Sequence, residues 1–405
     1  MQDTPISRAR YMQENRKMRF EEAYDGWTQG RLTQTEAALL LGHCERSFRR
    51  HIERYEADGL DGLLDKRLSQ ISRRRASSVE VDHVVHLYKS GFDGWSVAHF
   101  HSKYKSELPG VGGVGGARSY SWLKTVLQGA GVVKAAKRTG KHRIKRERAP
   151  LPGMMIHQDA STHRWVSEAV WDLVVTMDDA TGEHTSMFFC AQEGTASSLH
   201  GLGQTIARYG LFASLYTDRG SHYFSTPVAG GKVDKQNHTQ VGRALHQLGI
   251  EHIAAYSPQA RGRGERAFQT HQGRLPQELA KAGITDMDSA NAYLEQTYRP
   301  AHNQEFCVAS TLAGTAYVPF INGSLPDVLC EHHERQVGND NCVSFEGKSL
   351  QIPADEFKYH YVRAKVRVHR YVDATLAVFH GPRRLAAYDA MGAPIETKEV
   401  LRLAA

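Results

Sequence analysis

Three acidic residues stand out for the company they keep. Asp159 closes the short apolar run "GMMIHQDAS", and Asp218 closes "LFASLYTD". Glu265 lies inside "AYSPQARGRGERAFQT", beside Arg261, Arg263 and Arg266. Three carboxylates with no histidine or cysteine among them suit hard, oxygen-seeking cations, so the chemistry expected is that of Mg²⁺ or Mn²⁺ rather than Zn²⁺. Two such ions, about 3.5–4 Å apart, activate an attacking oxygen and stabilise a leaving one during in-line phosphoryl displacement. The neighbours of Glu265 fit that chemistry. Gly262 and Gly264 let the backbone approach a bulky partner, and the arginines offer charge to phosphates. By itself Glu265 reads as an exposed acid at a helix start, favoured there by the macrodipole. Two strand-end aspartates upstream shift the reading to catalysis.

The elements around these residues read as a mixed sheet flanked by helices. "WDLVVTMDDATGEHTSMFFCAQE" reads as strand, D-D-A-T-G turn and strand. "SSLHGLGQTIARYG" is helical, "LFASLYTDRGSHYF" holds a strand ending at Asp218, and "TQVGRALHQLGI" is a helix before the strand "EHIAAYSP". A further helix is expected to begin near Gly264. Three strands and then alternating helix and strand indicate an α/β layer. Asp159 and Asp218 are then expected at the C-terminal ends of their strands, where open sheets bind ligands. Gly273 and Pro276 predict a kink or stop near Arg274, which removes Glu278 as a substitute ligand.

The N-terminal part has another character. Residues 17–67 read as helices: Ala37, Ala38 and Leu41 precede Gly42, then Phe48, Ile52 and Tyr55 share one face. Thr33 and Glu36 form a capping box. Helix, glycine turn and a helix carrying Arg46, Arg49, Arg50 and Arg54 make a helix-turn-helix pattern, whose second helix enters the major groove; an αα-hairpin with a solvated face is the rival. A second helical module covers 75–133. Within it Gly110, Gly112 and Gly115 match G-x-G-x-x-G, but the polar "HSKYKSEL" before them is no strand, so a loop is expected. Residues 134–148, "KAAKRTGKHRIKRER", carry eight Lys/Arg and one Glu. Lys137, Arg138, Lys141, Arg143, Lys145 and Arg146 make this a linker able to follow a phosphate backbone. At the other end, Val362, Ala364, Val366 and Val368 alternate with Arg363, Lys365, Arg367 and His369. That alternation predicts a half-buried strand with a basic face, part of a small β-barrel with "CVSFEGKSLQIP" and "ATLAVFHGPRRLAAY".

Bulk properties agree. The 405 residues exceed one ordinary domain, and 40% hydrophobic with 23% charged content is normal for a globular chain. No run is long and apolar enough for a membrane span and no secretion signal is evident, so a cytoplasmic protein is expected. Five scattered cysteines (Cys44, Cys190, Cys307, Cys330, Cys342) exclude a disulfide framework. His83, His86, His99 and His101 cluster, but without paired cysteines ordinary histidines are expected rather than a zinc site. The net charge of +7 is unevenly spread. Residues 1–150 hold 28 Lys/Arg against 17 Asp/Glu, a balance of +11, which leaves −4 for the rest. A basic front and an acidic back suit DNA-gripping modules attached to a carboxylate-bearing core.

"HQDASTHRW", "MDDATGEH", "YTDRGSHYF" and "YSPQARGRGER" resemble the signature regions of DDE transposases of the retroviral-integrase type, within the ribonuclease H-like superfamily. The nearest resemblance is to the ISNCY group of bacterial insertion-sequence transposases, and it covers nearly the whole chain. It implies helix-turn-helix modules at 1–70 and 75–133, a basic linker at 134–150, a ribonuclease H-like α/β core at 151–315 and a small β-barrel at 316–405. Carried over by position, the triad falls on Asp159, Asp218 and Glu265, with two Mg²⁺ or Mn²⁺ ions per site. Asp178 and Asp179 match a paired acidic turn and are expected to be structural. The interval from Asp218 to Glu265 is longer than in retroviral integrases, and "STPVAGGKVDKQNHTQ" reads as an exposed insertion.

The resemblance implies cutting and joining of double-stranded DNA: the terminal inverted repeats and a target, handled by a homo-oligomer, at least a dimer. No nucleotide cofactor or membrane is involved, and the protein is expected at the bacterial nucleoid. The rival is a domesticated DNA-binding regulator that no longer cuts. A nuclease without joining activity is a third possibility.

Overall fold

Turn chemistry and one amphipathic face build the N-terminal unit. The structure is a computed structural model describing residues 8–65, 75–107, 118–135, 147–228, 231–234, 236–256, 258–321, 323–354 and 358–395. Helix α1 spans Arg8–Thr28, α2 spans Gln34–Leu40 and α3 spans Glu45–Asp58. The expected capping box starts α2: Thr33 accepts from the Glu36 N–H, and the Glu36 carboxylate accepts from the Thr33 N–H at 2.8 Å. Gly42, at φ +68°, makes the turn into α3, a conformation that costs an L-residue with a Cβ. Phe48 and Ile52 point from α3 into a small core with Phe20, Ala23, Ala37 and Ala38. Arg46, Arg49, Arg50 and Arg54 are exposed on the other side. Helix α4 spans Ser78–Gly91. The first compact unit ends within it at Leu87, and the second takes Tyr88–Pro109 and the chain from Ala117.

The second unit opens with α5 (Val97–Glu107) and α6 (Tyr120–Gly129). Strands β1 (Ile156–Val166), β2 (Ala169–Asp178) and β3 (His184–Cys190) follow, then α7 (Thr195–Tyr209), β4 (Ser214–Thr217), α8 (Gln240–Gln247) and β5 (Glu251–Ala254). The sheet order is β3-β2-β1-β4-β5. β1, β2 and β3 pair antiparallel, while β4 and β5 run parallel to β1. This is the mixed sheet expected from the sequence.

Helices α9 (Pro258–Gln272), α10 (Leu275–Lys281), α11 (Met287–Tyr293), a π-helical stretch Leu294–Tyr298 and α12 (Arg299–Phe306) come next. One face of the sheet carries Leu199, Leu202 and Ile206 of α7 with Val241 and Leu245 of α8. The other carries Phe268, Leu275, Leu279 and Leu294 against Trp165, Leu173 and Phe189. Covering both faces explains why β2 is buried along seven successive residues instead of alternating. Each such large side chain contributes about 1.5–3 kcal/mol by leaving water. The expected stop at Arg274 is observed: α9 ends at Gln272, and Arg274 caps α10 with Pro276 in its first turn.

After the short helix α13 (Leu325–Val328), the C-terminal strands are β6 (Glu331–Gln336), β7 (Cys342–Phe345), β8 (Lys348–Gln351), β9 (Lys365–Arg370), β10 (Leu376–His380), β11 (Arg383–Tyr388) and β12 (Pro394–Ile395). They form a five-stranded sheet, β12-β11-β10-β9-β6, and a separate β7-β8 hairpin. The antiparallel strands expected here are present as two sheets over one core that includes Val343, Leu350, Val366, Val368 and Val378. The basic face of β9 is also less open than its alternation implied, since His369 is buried and Arg367 partly covered. Among the described residues, no helix is long and apolar enough to cross a membrane.

Candidate active site

Asp159 is the fourth residue of β1 and pairs with Val175 of β2. The sequence expectation placed it at a strand end. β1 instead continues to Val166, because β2 pairs along its whole length, while the parallel neighbour β4 stops at Thr217. In the β1–β4 register Ile156 faces Leu215 and His157 faces Tyr216. Continued two residues further, that register would bring Asp159 level with Asp218, the residue just past the end of β4. The Asp218 carboxylate is fixed by its own turn, Oδ1 accepting the Gly220 N–H at 2.8 Å.

Glu265 comes in from α9. That helix starts at Pro258 rather than near Gly264, since proline is well placed in a first turn where no N–H is needed. Glu265 is thus mid-helix, and the first turn of α9 holds no acid. The macrodipole explanation for Glu265 falls away. One residue earlier the helix backbone passes close to Asp159: a Cβ on Gly264 would stand 3.9 Å from Asp159 Oδ2. Asp159 and Asp218 are half-buried, whereas Glu265 is exposed. The three carboxylates do not form a closed cluster. Among the described residues, the sets of three ligand atoms within 4.8 Å of one another lie elsewhere, and these carboxylates are not one of them.

A buried polar network beneath the aspartates escaped the sequence reading. Gln158 is 1% exposed. Its Nε2 donates to Thr176 Oγ1 at 3.0 Å and to the Ser198 carbonyl at 3.2 Å, and its Oε1 accepts from the Tyr223 hydroxyl at 3.1 Å. Tyr223 thereby joins the strand of Asp159 to the segment after Asp218. Burial pushes its hydroxyl well above the ordinary phenol range, with Glu193, Asp159 and Asp218 adding to the shift. Helix α7 crosses here on Gly201, where a Cβ would fall 2.6 Å from Gln158 Nε2. The available signal was a glutamine inside an apolar run next to an aspartate.

Asp178 and Asp179 are structural, as expected. Asp178 accepts from the backbone N–H groups of Gly153, Ala180 and Thr181 at 2.7–3.0 Å. Asp179 accepts from His157 Nε2 at 2.8 Å, from the Ala149 N–H at 2.7 Å and from Arg263. Burial would raise its carboxyl, but these donors outweigh that and hold it well below the ordinary range.

Arg263 pairs with the buried Asp179 carboxylate through Nη1. Arg266 is exposed. The Arg261 side chain and Lys137, Arg138, Lys141, Arg143, Lys145 and Arg146 lie outside the described residues, as does the glycine loop at 110–115. His99 and His101 have ordinary partners, Glu278 and the Arg118 carbonyl.

The Winged helix-turn helix family matches residues 23–80. The chain is 29% identical over 355 residues to "Putative transposase y4bF" of Sinorhizobium fredii strain NBRC 101917 / NGR234, covering 86% of this chain and 75% of that protein. It is 31% identical over 223 residues to the transposase for insertion sequence IS1202 of Streptococcus pneumoniae, covering 55% and 47%. The chain is similar to bacterial proteins named as transposases. Two solved chains are also similar to this one. One belongs to the simian T-cell lymphotropic virus intasome in complex with PP2A regulatory subunit B56 gamma, at 16% identity and a TM-score of 0.33, covering 70% of this chain and 92% of that one. The other is the HTLV-2 integrase catalytic core domain in complex with magnesium, at 18% identity and a TM-score of 0.28, covering 36% and 89%. Scores this low carry no weight for the fold.

Proposed function

We propose that this protein binds the terminal inverted repeats of an insertion sequence, hydrolyses a phosphodiester to free a 3′-OH, and joins that end to target DNA. One observation supports the reading: the helix bearing Glu265 passes Asp159 at Gly264, on a strand whose parallel register with β4 runs toward Asp218.

In this reading Asp159, Asp218 and Glu265 hold two Mg²⁺ or Mn²⁺ ions, and the all-carboxylate donor set fits such hard cations. Bound there, the ions would stabilise the attacking and leaving oxygens of an in-line displacement. The chain's own contribution is positional. The β1–β4 pairing aligns the two aspartates, the Gly220 N–H orients the second, and exposed Arg266 meets phosphate oxygens. Glu265, exposed on α9, is the ligand that swings in. Residues 1–70 and 75–133 grip the ends, 134–150 follow the backbone, 151–315 cut and join, and 316–405, a small barrel-like module, adds a contact. The protein acts at the nucleoid in the cytoplasm as an oligomer, at least a dimer, on paired ends.

The unclosed trio favours a second reading, a domesticated regulator that binds DNA and no longer cuts. A duplex bearing the inverted repeat, incubated with the protein and Mg²⁺, separates the two. A labelled 3′ end joined to a second duplex supports the transposase. Specific binding with no metal-dependent product supports the regulator, and nicks without joining indicate a nuclease.

A further inference from the structure

Three histidines from three elements meet in the core, away from the carboxylates. His184 opens β3, His271 lies in the last turn of α9, and His302 lies in α12. They are 1%, 0% and 7% exposed, and one ring nitrogen from each lies within 4.8 Å of the others. His184 Nε2 and His271 Nε2 face each other at 2.9 Å. His184 Nδ1 is 3.2 Å from the Gly182 carbonyl, which only accepts, so the hydrogen is on Nδ1 and Nε2 presents a lone pair. His271 Nδ1 is 3.0 Å from the Tyr298 hydroxyl, which is able to accept a hydrogen from it. The hydroxyl can equally donate to His271 Nδ1, in which case His271 Nε2 carries the hydrogen that bonds His184 Nε2, and a cation bound here would take the place of that hydrogen. His302 Nδ1 is buried with no hydrogen-bond partner. A backbone carbonyl and a hydroxyl on the far nitrogens are the outer partners that orient metal-bound imidazoles.

We propose that His184, His271 and His302 form a binding site for a transition-metal dication of the zinc class. Imidazole nitrogens suit zinc, nickel and copper and not magnesium, so this site and the carboxylates sort their ions by chemistry. Burial depresses all three imidazoles, which leaves them neutral at neutral pH. The nearby cations are already compensated: Arg274 pairs with Glu305 at 2.8 and 2.9 Å, and Arg299 with Glu295 at 2.8 Å. The π-helical stretch that supplies Tyr298 leads directly into α12, and such turns frequently mark functional sites. A metal there clamps the end of α9, the helix that carries Glu265, to β3 and α12. The second cluster, Cys330, His332 and His369, does not qualify. His332 and His369 stack with ring centroids 3.9 Å apart and planes 11° apart, so their in-plane lone pairs run parallel and do not converge.

The inference stands whether or not the carboxylates cut DNA. The test uses the untagged full chain, incubated with a zinc salt, gel-filtered and subjected to elemental analysis, with Co²⁺ as a spectroscopic probe. The expected result is about one zinc per chain, a tetrahedral cobalt spectrum without a thiolate band, and a higher Tm than the chelator-stripped protein. Excess Mg²⁺ leaves the zinc in place, and His302→Asn loses it while keeping its circular dichroism. If His302→Asn does not fold, the wild-type stoichiometry and cobalt spectrum decide. No retained zinc, a thiolate-to-cobalt band, or undiminished zinc in both His302→Asn and His271→Asn would overturn the proposal.

Discussion

Glu278 accepts a hydrogen bond from His99 Nε2 at 2.8 Å, joining α10 to α5 across 179 positions of sequence. The same carboxylate accepts from Lys103 at 3.0 Å and from the Tyr293 hydroxyl at 2.7 Å. Glu278 is 7% exposed and His99 0%. Removing one partner of a buried pair leaves the other without compensation, so Glu278→Ala is expected to cost about 3–5 kcal/mol. Urea denaturation of wild type and variant measures this. A loss below about 1 kcal/mol, as for an exposed pair, would contradict the assignment.

Acid should destabilise the second unit in two stages. Burial, with His332 and nearby arginines, lowers His369 to about 3. Its folded value is depressed, so its contribution is complete above its unfolded value of about 6.5 and is lost as pH falls toward 3. Burial would raise Glu278, but its hydrogen bonds to His99 and Tyr293 and the Lys103 charge lower it to about 2. Its contribution is complete above about 4.5 and declines toward 2. Each proton taken up only by the unfolded chain costs ~1.4 kcal/mol per pH unit. Tm measured from pH 8 to 4 should therefore start to fall below about 6.5 and steepen below about 4.5. A flat profile across that range would exclude both linkages.

Asp179 and Asp159 should behave oppositely on substitution. Asp179, held by His157, Ala149 and Arg263, is a fold residue. Asp179→Ala is expected to lose about 3–5 kcal/mol of stability. Asp159→Asn is expected to keep its Tm within a few degrees and lose metal-dependent cutting. Thermal melts with a nicking assay separate the two roles, and equal destabilisation by both would merge them.

The exposed arginines of α3 give a salt-dependence prediction. If Arg49 and Arg50 contact phosphates, substituting either by Ala should weaken binding to all duplexes alike. Each change should reduce the slope of log affinity against log salt by about 1. Fluorescence anisotropy across a salt series reads this, and an unchanged slope would take α3 off the DNA.

Much of this was legible from local chemistry. The Thr33–Glu36 capping box, the Gly42 turn, the D-D-A-T-G hairpin and the stop at Arg274 are all set by short-range rules, and the structure has each of them. Where pairing partners decide, the sequence was silent. β1 outruns the position of Asp159 because β2 continues beside it, and α9 starts early on Pro258. Alternation in β9 likewise shows which face is buried but not whether the sheet closes. The Gln158–Tyr223 network, the Glu278 junction and the histidine trio join residues far apart in the chain, and only folding reveals such contacts.

Metal-dependent strand transfer by Asp159→Asn, Asp218→Asn and Glu265→Gln, each checked for an unchanged Tm and unchanged duplex binding, bears most directly on the catalytic claim. All three variants should bind the inverted repeat like wild type and yield no joined product in Mg²⁺ or Mn²⁺. Joining that persists in any one of them would remove that carboxylate from the site, and persistence in all three would move the chemistry elsewhere in the molecule.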